Sequence, residues 1–141
     1  MKTFKQIAIL SSISFLLHIV WENVQAPLFK GYESFTKHLP VCFMGTIGDV
    51  LITLFAFALI ALIKNNQHWI VQIKLGDYLS LTIIGLLIAI GIEQNALFLS
   101  KWNYSDAMPL IPYLKTGLTP LIQMMVLLPL SFFLTAKWKI K

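Results

Sequence analysis

The stretch VCFMGTIGDVLITLFAFALIALI, Val41–Ile63, decides the fold class. It runs 23 residues with one charged side chain, Asp49. As an α-helix rising about 1.5 Å per residue, it covers the roughly 30 Å of a bilayer's hydrocarbon core. Three further segments have the same character: about 7–28, about 78–99 (YLSLTIIGLLIAIGIEQNALFL) and about 117–136 (GLTPLIQMMVLLPLSFFLTA). In hydrocarbon, every backbone N–H and C=O must be paired within its own segment, so apolar runs of this length read as helices. The expectation is an all-α chain, an integral membrane four-helix bundle forming a single domain over residues 1–141.

Composition points the same way. The chain is 57% hydrophobic and 12% charged, with a mean hydropathy of +0.77, whereas soluble domains carry about 25% charged residues. The net charge of +5 comes from eleven basic residues, all lysines. They flank the apolar segments instead of forming a patch, which marks membrane topology and lipid headgroups and argues against nucleic acid. Cys42 is the single cysteine, which excludes an internal disulfide, a CxxC redox pair and a multi-thiolate metal site.

The N-terminus resembles a signal peptide, with Lys2 and Lys5 before an apolar run and a VQA box at Val24–Ala26. Pro27 would follow that cut and suits a scissile bond poorly, so the segment is expected to be an uncleaved first span. With four spans both termini share one side. That side holds Lys2, Lys5, Lys64, Lys74, Lys137, Lys139 and Lys141, against Lys30, Lys37, Lys101 and Lys115 on the other. The positive-inside rule then expects cytoplasmic termini, in a cell membrane for which the bacterial cytoplasmic membrane is favoured. The tail KWKIK also resembles a retrieval signal of the endoplasmic reticulum, a pattern that a lysine-rich tail produces by chance.

The polar residues inside the spans carry the functional signal. Glu22, Glu93 and Gln123 each fall roughly 9 Å from the end of their span, Asp49 roughly 12 Å, and His18 near the midplane. All lie in the half of the bilayer away from the termini. Ser11, Ser14, His18, Glu22 and Gln25 recur every three or four residues, as do Cys42, Gly45, Thr46, Asp49 and Thr53, so each set forms one helix stripe. Gly85, Ala89, Glu93 and Ala96 mark a face of the third span that permits close approach. Asn23 falls off the first stripe. Three carboxylates in one layer cannot all stay charged without a cation, a water-filled pocket or a proton, which leads us to expect a proton shared among Glu22, Asp49, Glu93 and His18.

A structural reading stands beside the functional one: a polar network that fixes helix register. One histidine is thin support for a divalent metal, and the methionines lack the spacing of a soft-metal site, so no metal site is expected; any other cofactor stays unknown. No HExxH, nucleophile elbow, P-loop or dinucleotide fingerprint is present.

The segments EQNALF, WNYSDAMP and GLTPLIQ, between Glu93 and Gln123, resemble a group of small bacterial four-span membrane proteins, which implies the fold but no activity. HIVWE at His18–Glu22 resembles the His-x-x-x-Glu of the sterol isomerase in the EXPERA group, which also includes the sigma-2 receptor. Asp49 and the proline-bearing last span (Pro120, Pro129) also fit, while the extended acidic loop after the first span is missing. The resemblance implies a ligand pocket and proton-transfer chemistry.

The leading expectation is a polar pocket for a small amphipathic or lipid-like ligand in the membrane. His18, Glu22, Asp49 and Glu93 would exchange protons. Gln25 and Gln123 would orient the ligand, and Trp102 and Tyr104 would belong to a lid loop reaching to Tyr113. Alternatives are transport of protons or cations through those acids, and service as an accessory subunit with an oligomer or complex partner.

Overall fold

A computed structural model describes residues 2–138; Lys139 and Lys141, two of the lysines used for topology, lie outside the described residues. Helix α1 spans Lys2–Gln25 and passes into a 3-10 turn, Ala26–Leu28. Helix α2 spans Phe35–Ile63, a second 3-10 turn covers Trp69–Gln72, α3 spans Leu75–Phe98 and α4 spans Leu118–Lys137. All four helices are long and apolar enough to cross a membrane.

Helix α2 begins six residues before Val41, and local chemistry explains why. Ser34 is extended and its hydroxyl accepts from Lys37 N–H at 3.4 Å, which caps the helix. Lys37 also pairs with Glu33 one turn back. Pro40 lies inside α2, but so near its start that only the Thr36 carbonyl loses its helical partner. In α4, Pro129 removes the partner of the Met125 carbonyl, and Thr82 of α3 donates its hydroxyl there at 3.4 Å.

Helix α1 packs on α2 and α4, and α4 packs on α3; α2 and α3 make no comparable contact. Gly85 fixes the α3–α4 approach, because a Cβ there would stand 2.6 Å from the Met124 carbonyl oxygen. Hydroxyls within the bundle are paired: Ser14 with Thr53 at 2.9 Å, and Thr46, Ser131 and Thr135 with carbonyls of their own helices. Large apolar side chains such as Leu16, Leu51, Leu87 and Val126 point outward.

The main core lies at the end of the bundle where α1 begins. Leu10, Phe57, Ile60, Leu81, Leu128 and Phe132 surround Trp69. Its ring stacks between Phe57 and Phe132, with centroids 6.1 and 5.2 Å away, and its indole N–H donates to the Phe57 carbonyl at 3.2 Å. The 64–77 connection, which reads as interfacial in the sequence, thus sends its tryptophan inward. Asp77 falls within the first turn of α3, where it pairs with Lys64 at 2.6 Å and accepts from the Lys74 backbone N–H at 2.8 Å.

Candidate functional site

At the opposite end, the sparse contact between α2 and α3 leaves a groove of about 560 Å³, floored by α1 and α4. Glu22, Gln25, Asp49, Glu93, Trp102 and Gln123 all line it. His18 and Tyr104 do not: His18 is fully buried, and Tyr104 packs against Phe29 with ring centroids 5.6 Å apart. Of the three acids, Glu93 is buried, whereas Glu22 and Asp49 are half-buried.

Gln123 is the hub. Its amide nitrogen lies 2.9 Å from Glu22 Oε1, 2.8 Å from Asp49 Oδ2 and 3.0 Å from His18 Nδ1. Its carbonyl oxygen accepts from the Gln25 amide at 2.8 Å. Gln25 also donates to Glu22 Oε1 at 3.0 Å and accepts from the Trp21 indole at 3.1 Å. An amide nitrogen carries two protons, so it cannot donate to three acceptors. One assignment satisfies the contacts: Gln123 donates to Glu22 and Asp49, while His18 Nδ1–H donates to Asp49 Oδ2 across 3.2 Å. The bare His18 nitrogen is then Nε2, which is buried without a hydrogen-bond partner among the described residues.

Glu93 belongs to a separate cluster on the facing wall. It accepts from the Tyr104 hydroxyl and from the Trp102 indole, the latter at 3.2 Å. The loop carrying both aromatics is tied down elsewhere. Lys30 N–H donates to the Asn103 carbonyl and Ser105 N–H to that of Leu28, each at 2.9 Å. Gln94 donates to the Leu114 carbonyl at 2.7 Å and to the Thr116 hydroxyl. Tyr113, at the far end of the loop, is fully exposed. Burial pushes the Tyr104 phenol above its usual range, and the hydrogen bond to Glu93 adds to that shift.

Asn23 donates to the Ile19 carbonyl of its own helix at 2.7 Å, away from this network. Gly45 seats Glu22: a Cβ there would meet the carboxylate oxygen at 3.0 Å. Sequence reasoning missed Trp21, and it missed Lys30, His38 and Lys101, which also line the groove. These last three sit outside the span windows, so a search for polar groups within spans passes over them. Among the described residues, no three side chains of His, Cys, Asp or Glu gather closely enough to hold a metal ion.

Compared with known proteins, the chain matches no family model, no curated sequence and no solved structure.

Proposed function

We propose that this chain is a four-span membrane protein that binds a small amphipathic molecule in the groove between α2 and α3. One observation carries the reading. Glu22, Asp49, Gln25 and Gln123 form a continuous hydrogen-bonded base, yet they open onto a groove whose α2 and α3 walls include the apolar Val41, Met44, Ile52 and Ile92. A network that served only to lock helices together would be closed over by packing. Here a ligand's polar group meets the floor and its apolar part meets the walls.

The resemblance of His18–Glu22 to the EXPERA pattern agrees with a ligand pocket. Acid–base chemistry is within reach of the floor: Asp49 orients the His18 imidazole, and carboxylates beside it exchange protons. The intended setting is a cell membrane with both termini cytoplasmic. A proton or cation path is less well supported, because the Phe57–Trp69–Phe132 stack fills the other end of the bundle.

Alanine replacement of His18, Glu22, Asp49 and Glu93 tests the reading, scored for folding and for ligand-induced thermal shift. Folded variants that lose the shift support a binding floor. Unfolding of all four, with no ligand response in the wild type, would return the network to a structural role.

A further inference from the structure

The acids of the groove are each held by hydrogen bonds within the protein, but two cations at its mouth are not. Lys30 follows the turn after α1, and Lys101 follows α3. Both line the groove, and neither ammonium forms an ion pair or hydrogen bond among the described residues. They are brought together by the Lys30 N–H to Asn103 carbonyl bond and by the backbone bridge between Phe29 and Tyr104. His38, near the start of α2, lines the same groove. Lys37, at the same end, is paired with Glu33 and does not line it. Three separate segments thus contribute nitrogen groups to one mouth.

Below the mouth the walls turn apolar. Val41 and Met44 of α2 and Ile92 of α3 line the groove while remaining 61%, 66% and 41% exposed. Because α2 and α3 pack far less on each other than on α1 and α4, and these side chains are exposed, the groove is open sideways between them.

We infer that the occupant is a lipid with an anionic headgroup, phosphate or carboxylate, bound by Lys30 and Lys101 with His38 beside them. Its chain lies between α2 and α3, and it enters sideways from the bilayer. This rests on the amphiphile-binding reading and adds the ligand's charge, orientation and route. Asp49 lies away from the mouth, eleven residues from His38 on α2, about 16 Å along the axis. A headgroup at the mouth is therefore remote from Asp49. Glu93, beside the loop that carries Lys101, is already held by the Trp102 indole and the Tyr104 hydroxyl, and Glu22 by Gln25 and Gln123. Apolar walls continuous with the cationic mouth favour a lipid over free phosphate.

The test uses the full chain purified in a neutral detergent. Phosphatidylglycerol, phosphatidylcholine with the same chains, or inorganic phosphate alone is added. Retained lipid is read by native mass spectrometry, and stability by thermal shift. The variants are K30Q/K101Q, K37Q as a charge control, and Gly48→Leu. Gly48 lines the groove and a Cβ there meets nothing within 4 Å, so leucine would fill open space.

The expected result is preferential retention of phosphatidylglycerol by the wild type and by K37Q. K30Q/K101Q should bind it about thirtyfold more weakly, the sum of two lysines near one headgroup, and Gly48→Leu should retain neither lipid. Equal retention of both lipids that Gly48→Leu abolishes would overturn the anionic headgroup and leave the groove as a binding site. An equal stabilisation by inorganic phosphate alone would overturn the lipid. No retention by the wild type would overturn the groove reading itself.

Discussion

Gln123 on α4 and Asp49 on α2 meet side chain to side chain at 2.8 Å, although their helices have little direct backbone packing. The same amide reaches Glu22 and lies against His18. One neutral side chain therefore holds the polar groups of three helices in register. Replacing it by leucine removes one of the two donors to each of Glu22 and Asp49 and one of the two acceptors of the Gln25 amide. The expected loss is about 1–2 kcal/mol, since a hydrogen bond contributes roughly 0.5–1.5 kcal/mol net, each partner keeps a second bond and the half-buried acids recover water. Thermal unfolding in detergent measures it. Asn23→Ala, whose side chain bonds only to its own helix, serves as the control and should change stability by less than about 0.5 kcal/mol.

Two glycines of α3 give a matched steric pair. A methyl at Gly85 would stand 2.6 Å from the Met124 carbonyl oxygen, whereas one at Gly91 meets nothing within 4 Å. Gly85→Ala forces α3 and α4 apart and should cost about 1–3 kcal/mol. Gly91→Ala, with open space and a better helix former, should be neutral to stabilising by up to about 1 kcal/mol. Equal midpoints for the two variants would show that α3 and α4 do not approach this closely.

At the closed end, Trp69 combines ring stacking with an indole N–H bond to the Phe57 carbonyl. Trp69→Ala leaves a cavity at the centre of the main core and should destabilise by about 3–5 kcal/mol. Trp69→Phe keeps most of the stack and should lose less. Denaturant or thermal titration of the two variants side by side reads the difference.

Tyr104 gives a pH dependence whose sign is fixed. Burial, reinforced by the bond to Glu93, raises its phenol in the folded chain. The unfolded chain therefore loses that proton first. The stabilisation is complete below the ordinary tyrosine value of about 10 and is lost as pH rises above it. The wild type should show a drop in midpoint above about pH 10 that is shallower in Tyr104→Phe. Tyrosinate absorbance should also lose its most alkaline component in that variant. An unchanged alkaline limb would mean that Tyr104 does not keep its proton in the fold.

The sequence by itself determined the four helices, because the length of an apolar run and the absence of charge within it are local properties. It also determined that α1, α2 and α4 each carry polar side chains at similar depth, since rise per residue converts position into depth. Helix ends were less legible: α2 starts at Phe35 because the Ser34 cap outweighs an early proline. Tertiary structure alone decided which groups meet, because periodicity fixes a helix's polar stripe but leaves open which helix that stripe faces. It made Gln123 the hub, set Glu93 apart with Trp102 and Tyr104, and turned Trp69 inward. It also left α2 and α3 sparsely packed on each other, so that Lys30 and His38, and Lys101 from far along the chain, line one groove with the acids.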